Sequence, residues 1–354
     1  MAVYAFWNNK GGVGKSYLSF QVAAEYAKTH PDKPVLVIDL CPQANASGML
    51  LGGIIEGEKR LAQIAGHTRR HTIAGYIEER IRSPYQSPKV GADYMVNVHR
   101  MNQEIPKNLW LVVGDESLEV QTSRVSRATN PGPSDAWRLV HSWIRDLIAD
   151  CRQRWNGNGV DSAVFIDCNP SFSVYTELAM SASDNVIIPF SADGSSKRAV
   201  RAVLSLLFGV TRVAGAEKSE FYLNNQTFGM AVPRIYGYVG NRLTQMDDNP
   251  ANAFKTVVNE IGKEIWDVWQ SNSGIFAIHP AGSPPPRNRA EFQRMFQVEI
   301  NDANTASVVS SGLGIPITNL SSGRKFLVSK YVTVNQSQLR KQQPNLRRFV
   351  RSID

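Results

Sequence analysis

The sequence has little cysteine, no long apolar run and almost no acid near its C-terminal end. Its three cysteines, Cys41, Cys151 and Cys168, form no CxxC pair and no spacing typical of zinc ligands. A disulfide framework or a metal cluster is therefore not predicted. No stretch reaches the roughly 18 to 20 apolar residues that a membrane-spanning helix requires. The first residues also lack the pattern of a signal peptide, and we expect a cytoplasmic protein.

The shortage of acids leaves one end of the chain strongly basic. From Arg324 to Asp354 there are eight basic residues and one acid, so this segment carries +7 of the chain's net +8. Such asymmetry is typical of a protein that binds a polyanion, with a solvated tail that aids solubility as the alternative. The candidate nucleic-acid contacts are Arg198 and Arg201, in a predicted helix, and Arg340, Lys341, Arg347, Arg348 and Arg351.

The chain is long enough for one sizeable core, and short apolar runs alternate with helix-length stretches along it. This alternation predicts an α/β fold, a doubly wound and mostly parallel sheet covered on both faces. The predicted strands are Val3–Trp7, Val35–Asp39, Leu109–Val113, Ala163–Asp167, Asn185–Pro189, Ile235–Val239 and Ile315–Ile317. The predicted helices are Ser16–Thr29, Asp135–Arg154, Ser195–Val210 and Pro250–Trp269. We expect irregular inserts at about 55–105 and 212–230, a main domain over residues 1–323 and a basic segment over residues 324–354.

A glycine-rich loop, NNKGGVGKS, joins the first predicted strand to the first predicted helix. It has the GxxxxGK[ST] spacing of a phosphate-binding loop, with Asn9 in place of the first glycine. Its glycines allow backbone N–H groups to surround phosphate oxygens at the start of a helix. Lys15 is then predicted to contact the β- and γ-phosphates, and the Ser16 hydroxyl to complete a Mg²⁺ shell.

This loop, with Lys10 as an additional lysine, resembles the deviant Walker A box of the ParA/MinD family of dimeric ATPases. The segment VLVIDLCPQANAS from Val35 is similar to the family's second strand and switch, usually written DxDPQxNAS. VFIDCNPS from Val164 is similar to its Walker B element, usually DTPPS. Weaker similarity continues at Asp184–Pro189, at GYVGNR from Gly237, and at IND from Ile300 followed by GIPI.

The resemblance implies a P-loop ATPase of the ParA-like branch that uses ATP and Mg²⁺ and forms a homodimer around the nucleotide. In the family the lysine at the position of Lys10 reaches the nucleotide bound by the partner copy. It also implies that Asn241 contacts adenine. The implied nucleotide-binding residues are Lys10, Gly11, Gly12, Val13, Gly14, Lys15, Ser16, Tyr17, Asn241, Arg242 and Asp302.

Two aspartates, Asp39 and Asp167, end predicted parallel strands. The carboxyl ends of parallel strands meet at one edge of the sheet, so both carboxylates are expected beside the glycine loop. We assign them, with Ser16, to the magnesium sphere, mostly through water. The candidate catalytic residues are Lys10, Lys15, Asp39, Cys41 and Asn169.

At two positions the sequence departs from the family pattern. Cys41 stands where the second aspartate of the switch is expected, and in the family that carboxylate helps to place the attacking water. A thiol accepts a proton less well and cannot hold water by a charged hydrogen bond, so we expect ATP binding with slow, partner-stimulated hydrolysis. Asn169 replaces the first proline of DTPPS, and its amide could position water instead. A redox pair of Cys41 and Cys168 is the alternative to two small buried side chains.

The leading functional hypothesis is a positioning ATPase. ATP would close the dimer, the dimer would bind nonspecific DNA on the nucleoid, and a cargo adaptor or centromere-binding protein would stimulate hydrolysis. The cargo would be a plasmid, a chromosome region or a protein assembly. Three alternatives stay open: a nucleotide-locked scaffold on DNA, a metabolic or electron-transfer ATPase of the same superfamily, and a MinD-like ATPase whose C-terminal helix binds membrane.

Overall fold

The computed structural model describes residues 2–130, 132–155, 161–191, 193–211, 213, 215–243 and 250–353, with the backbone alone for residues 242–243 and 250–254. Within this part of the chain, ten strands are present: β1 Val3–Phe6, β2 Val35–Leu40, β3 Met95–Asn97, β4 Leu109–Val112, β5 Ala163–Cys168, β6 Asn185–Phe190, β7 Arg234–Leu243, β8 Gln297–Asn301, β9 Gly323–Leu327 and β10 Lys330–Val334. Eight of them form one sheet in the order β3-β4-β2-β5-β1-β6-β7-β8. All neighbours in it are parallel except β3 and β4.

Helices cover both faces of this sheet, so the predicted doubly wound α/β fold is confirmed. In chain order they are α1 Lys15–Thr29, α2 Asn45–Leu50, α3 Gly53–Ala65, α4 Ile73–Arg82, α5 Leu118–Ala128, α6 Ala136–His141, α7 Trp143–Trp155, α8 Val174–Ala182, α9 Ser196–Phe208, α10 Glu220–Phe228, α11 Pro250–Ser271, α12 Arg289–Phe296, α13 Thr305–Leu313 and α14 Gln336–Arg351.

Two hydrophobic cores lie on opposite sides of the sheet. Successive side chains of β1 belong to different cores: Val3 and Ala5 to one, and Tyr4 and Phe6 to the other. All four are buried. Because side chains alternate across a strand, a strand buried on both faces reads as a continuous apolar run. This is why the central strands were recognisable in the sequence.

The predicted strand Ile315–Ile317 is wrong, because side chains hold the backbone of this segment. Ser310 Oγ donates to Ile315 O at 2.6 Å, and the Ile317 N–H donates to Gln21 Oε1 at 2.7 Å. The segment follows Gly314, whose φ of 64° ends α13 in the left-handed conformation. The edge of the sheet is formed instead by β8.

Two further expectations need correction. The predicted helix Asp135–Arg154 is divided at Ser142, whose Oγ donates to Arg138 O at 2.8 Å; such back-bonding competes with the helical ladder and bends helices. The inserts expected to be irregular contain the helices α3, α4 and α10. Apolar residues anchor α4 to the core, among them Ile73 and Ile77, both fully buried.

The C-terminal segment packs onto the sheet. Strands β9 and β10 form a separate antiparallel hairpin, and α14 follows it. The apolar side chains of α14 are buried in the core that also contains α1, and they are Leu339, Leu346, Phe349 and Val350. They are therefore not available to a membrane surface. None of the helices that the structure describes is long and apolar enough to span a bilayer.

Candidate functional site

The loop between β1 and α1 is open on its inner side. Gly12 and Gly14 have φ angles of 75° and 79°, the left-handed region that glycine adopts without strain. A Cβ atom added at Gly11 or Gly12 would meet nothing within 4 Å. Gly14 precedes α1 and offers no side-chain cap, so the first N–H groups of this helix remain available to an anion.

A cavity of about 550 Å³ lies in front of this loop. Residues from the glycine loop, the ends of β2 and β5, and the helices α2, α3 and α13 form its wall. Its lining residues are Gly11, Gly12, Gly14, Lys15, Ser16, Tyr17, Cys41, Gln43, Asn45, Gly48, Met49, Gly53, Ile54, Glu58, Cys168, Pro170, Val308, Ser311 and Gly312. The structure thus brings Cys41 together with the predicted loop residues except Lys10 and Val13, which do not line the cavity.

Lys15 is folded back onto the loop that carries it. Its Nζ donates to the carbonyl oxygens of Lys10 at 2.7 Å and Asn8 at 3.1 Å. Burial lowers the pKa of this ammonium, while the neighbouring Asp167 acts in the opposite direction. A buried cation held only by carbonyl dipoles gains most from an incoming anion.

The two predicted aspartates face each other in register at the ends of β2 and β5. Asp39 is well satisfied: its Oδ1 accepts from the Cys41 N–H at 3.1 Å, and its Oδ2 accepts from the Ser47 N–H at 2.9 Å and Ser47 Oγ at 2.8 Å. Burial nevertheless raises the pKa of Asp39 to about 6. Asp39 thus fixes the start of the switch segment.

Asp167 is fully buried, and neither carboxylate oxygen has a partner of normal hydrogen-bond geometry within the described residues. Burial raises its pKa well above the usual range, and the charge of Asp39 adds to the rise, while Ser16 and Lys15 oppose it. Buried carboxylates without partners are costly. These two oxygens could accept hydrogen bonds from water bound to a cation, or could bind the cation itself.

Cys41 and Cys168 present neutral thiols to the cavity. Burial, followed by the charge of Asp39, raises the pKa of Cys41 to about 12. Burial and the adjacent Asp167 raise the pKa of Cys168 well above that of an ordinary thiol. Both cysteines are free. Neither group can act as a base near neutral pH.

Lys10 points away from the cavity that its own loop forms. Its ammonium pairs with Asp193, in the segment between β6 and α9, and also donates to Ser191 Oγ at 3.2 Å and Ser196 Oγ at 3.4 Å. Partial burial alone would raise the pKa of Asp193, but hydrogen bonds from Lys10, Ser191 and Ser195 lower it below the usual range. This anchor for Lys10 was not predicted.

Three other predicted site residues, Asn241, Asp302 and the catalytic candidate Asn169, do not line the cavity. Asn241 is buried behind the loop and donates to Val13 O at 3.0 Å and Gly14 O at 3.3 Å, so it braces the loop. Asp302 accepts the Asn304 N–H in a turn. Asn169 is half-buried, and its backbone oxygen accepts from Thr176 Oγ1 at 3.4 Å. The side chain of Arg242 lies outside the described residues.

Several polar residues of the cavity were missed at the sequence level. Gln43 and Asn45 follow Cys41 in the switch, and their amides reach the cavity. Glu58 on α3 supplies the one carboxylate that lines the cavity within the described residues. Gln43 and Asn45 belong to the quoted switch motif, whereas Glu58 lies in the insert that was expected to be irregular. No short motif marks it.

The basic residues form two groups on opposite sides of the sheet. The buried side of α9 belongs to one core and that of α14 to the other. On α9, Arg201 is paired with Glu264 at 2.9 Å, while Arg198 is exposed. On α14, the basic side chains are exposed except Arg347, which lies 3.5 Å from Glu25. The exposed ones are Arg340, Lys341, Arg348 and Arg351.

Comparisons with known proteins agree with this geometry. A family model described as an AAA domain matches residues 1–120. The chromosome partitioning protein ParA of Caulobacter vibrioides is 28% identical over 219 residues, which are 61% of this chain and 64% of that protein. The structure of apo McdA from Cyanothece superposes with a TM-score of 0.50 at 14% identity, covering 75% of this chain and 82% of McdA. The structure of pnob8 ParA gives a TM-score of 0.50 at 15% identity, covering 84% and 80%.

The chain is similar in sequence to a ParA protein and in fold to McdA and ParA. The resemblance inferred from the glycine loop and the switch is therefore confirmed, and the two superposed structures share the fold. The AAA-domain match includes the loop with Lys10 and Lys15 and the switch with Cys41, and it ends before Asp167. Cys41 in the switch and the ion pair between Lys10 and Asp193 are features of this chain.

Proposed function

We propose that the protein is a ParA-like ATPase that forms an ATP-sandwich dimer, binds nonspecific duplex DNA and positions or partitions a cargo. One observation carries the proposal: beneath an open glycine loop, a buried Lys15 lies near a buried Asp167, whose carboxylate is next to Ser16 but has no hydrogen bond of normal geometry among the described residues. In this arrangement Lys15 would bind a phosphate, and Asp167 would bind the cation that accompanies it.

ATP and Mg²⁺ fit the residues present. The open inner side of the loop and the uncapped start of α1 suit phosphate oxygens. Lys15 would exchange the carbonyls of Asn8 and Lys10 for phosphate. Ser16 and Asp167 would hold the cation, Asp167 mostly through water, while Asp39 orders the switch through Ser47. When bound, Mg²⁺ neutralises charge at the β- and γ-phosphates.

Lys10 supports the dimer part of the proposal. Because its ammonium is directed towards Asp193 rather than into its own cavity, it does not serve the nucleotide held by its own loop. In a sandwich dimer it would leave Asp193 and reach the phosphates bound by the second copy. Neutralisation of developing charge by a cation from the other subunit then makes the reaction depend on dimerisation.

DNA binding is supported by the exposed basic side chains of α14. They lie on a helix whose apolar side packs in the core. The C-terminal segment around them carries a net charge of +7, so no excess of acids offsets their charge. Contacts of this kind address phosphates and carry no sequence information. The name of the Caulobacter relative supports partition as the biological role. A cargo adaptor or centromere-binding protein would stimulate hydrolysis.

A second candidate function is a nucleotide-locked scaffold on DNA. Cys41 favours it, because a thiol with a pKa near 12 neither accepts a proton from water nor holds it by a charged hydrogen bond. In that case the ATP-bound dimer persists and the protein is released from DNA only slowly. Measured turnover separates the two functions.

Co-sedimentation with duplex DNA and a size measurement by light scattering test the proposal. The purified protein is compared without nucleotide and with ADP, ATP and a nonhydrolysable analogue. We expect a dimer on DNA with ATP and with the analogue, and a monomer off DNA with ADP. A monomer that stays off DNA with the analogue bound would refute the sandwich model.

A further inference from the structure

The hairpin of β9 and β10 exposes two aromatic rings on one face. Phe326 and Tyr331 stand opposite each other in the register and are 54% and 62% exposed. Their ring centroids lie 5.3 Å apart. Arg324 is on the same face, with its guanidinium carbon 4.6 Å from the Tyr331 centroid.

The other face of the hairpin packs against the core. Leu327 and Val334 are buried, and Leu327 lies so close to α13 that a Cβ at Gly312 would come within 2.6 Å of it. Side chains alternate across a strand, so the core demands one face only. The exposed rings therefore add nothing to the core, although exposing two large rings has a cost in water.

The charge around these rings has a single sign. Between residues 303 and 353 the sequence contains no acid. Arg324 lies on the face of the rings, and Lys325 and Lys330 lie on the other face of the hairpin. These three residues have no ion-pair partner among the described residues, and Lys325 donates to Ser321 Oγ at 2.9 Å. Exposed rings next to unpaired cations are the combination that binds nucleic-acid strands, since bases stack on the rings and phosphates meet the cations.

We infer that this face, defined by Arg324, Phe326 and Tyr331, binds single-stranded DNA by base stacking. Bases within a duplex are stacked on each other and do not offer their faces to a ring, whereas unpaired bases do. The inference rests on the proposed DNA binding for the choice of DNA, because the same acid-free segment contains the basic residues of α14. The hairpin would hold an opened strand, and α14 would contact duplex phosphates.

Fluorescence anisotropy with the full chain tests this inference, using an oligothymidylate of about 20 nucleotides and a duplex of similar length. The double variant Phe326→Ala, Tyr331→Ala is expected to bind the oligothymidylate at least about tenfold more weakly. Its duplex affinity should change less than about twofold, because no phosphate contact is removed. Val120→Ala with Leu223→Ala removes exposed apolar groups elsewhere and should change neither.

Two conservative variants identify the type of contact. Phe326→Trp keeps a planar ring and should retain binding, whereas Phe326→Leu keeps apolar area without the ring and should lose it. Unchanged oligothymidylate binding in the double variant would overturn the inference, and so would an equal loss on strand and duplex. Two outcomes would assign the face to a second copy of the chain. One is that Phe326→Leu binds the oligothymidylate as well as the unmodified protein does. The other is that the double variant loses the dimer but keeps its oligothymidylate affinity.

The strand measurement is repeated without nucleotide and with an oligouridylate. Tighter binding of the oligouridylate would make RNA the partner and overturn the assignment to DNA. If ATP fails to induce duplex binding but oligothymidylate binding still depends on Phe326 and Tyr331, the proposed function fails and the hairpin inference stands.

Discussion

At the scale of single residues, the buried carboxyl groups of Asp39 and Asp167 make the stability of the nucleotide-free protein depend on pH. Both are fully buried, and burial raises both pKa values. The folded state therefore holds protons that the unfolded state has released once the pH exceeds about 4. The stabilising contribution of the protonated pair is complete below that pH and is lost as the pH rises through about 6 and beyond.

Replacing Asp167 with asparagine should stabilise the nucleotide-free protein at pH 8, since burial disfavours the charged form of the carboxyl group that the amide replaces. The gain should shrink at pH 5, where protonation already relieves the carboxyl pair. Urea unfolding at both pH values measures it. As the opposite control, Ser47→Ala removes a hydrogen bond to Asp39 and should destabilise the protein at pH 8. A variant less stable than the parent at pH 8 would contradict the assignment of Asp167 as an unpaired anion.

We expect Cys41 to limit how fast the proposed ATPase turns over. Cys41→Asp should raise turnover without tightening ATP binding, and a barrier lower by about 1.4 kcal/mol would give about a tenfold gain. Because Asp39 and Asp167 lie close by, the new carboxylate should also destabilise the nucleotide-free fold. Steady-state phosphate release and calorimetry with a nonhydrolysable analogue separate turnover from binding.

The controls for this prediction ask whether another residue places the water. Val120→Ala, which truncates an exposed side chain outside the cavity lining, should leave turnover unchanged. Rapid hydrolysis by the unmodified protein, or no effect of Cys41→Asp together with an inactive Asn169→Ala, would show that another residue places the water.

The two lysines of the glycine loop should have separable roles. Lys15→Ala is expected to abolish nucleotide binding, while Lys10→Ala leaves binding intact and removes ATP-dependent dimerisation. Asp193→Asn should favour the dimer by at most about fivefold, because an exposed ion pair contributes about 0 to 1 kcal/mol. Calorimetry and light scattering measure these effects. An unmodified protein that stays monomeric with ATP bound would exclude the cross-subunit role of Lys10.

At the scale of elements, α14 combines a structural face with a charged face. Deleting residues 324–354 would remove Leu339 and Phe349 from the core, so truncation cannot test DNA binding cleanly. Point substitutions avoid this difficulty, because Arg340 and Arg348 are exposed.

Arg340→Ala together with Arg348→Ala should lower the slope of log affinity for duplex DNA against log salt by about 1.8, at about 0.9 for each lost phosphate contact. Arg201→Ala should leave this slope unchanged, because Arg201 is already paired with Glu264 on the opposite side of the sheet. Titrations between low and moderate salt give the slope. An unaltered slope in the double variant would show that α14 does not contact phosphates.

The elements also show why parts of the fold could be predicted. Central strands such as β2 are apolar on both faces and stand out, whereas Ile315–Ile317 has the same composition without a neighbouring strand. The helix α4 does carry a helical pattern, with Ile73, Ile77 and Arg80 on its buried side and Thr72 as its N-cap, but the many Arg and His residues around it favoured an irregular insert. The pairing of Lys10 with Asp193 depends on two loops that meet only in the folded protein.

At the scale of the whole molecule, the sheet separates the two basic groups. A duplex lying along α14 cannot at the same time lie along α9, because the two helices cover different faces. The glycine loop, the switch and Asp167 were predictable because sequence motifs mark the ends of parallel strands. The arrangement of charge on the outside was not, since it depends on which face each helix covers.

One contact joins the nucleotide cavity to α14, the helix proposed to bind DNA. Tyr17 lines the nucleotide cavity, and its hydroxyl donates to Gln342 Oε1 of α14 at 2.9 Å. If nucleotide strengthens the grip of α14 on DNA, thermodynamic reciprocity requires DNA to strengthen the retention of nucleotide by the same factor. A molecule bound to DNA would then keep its ATP longer than one in free solution. The retained ATP would in turn lengthen the time that the molecule stays on DNA, until a partner stimulates hydrolysis.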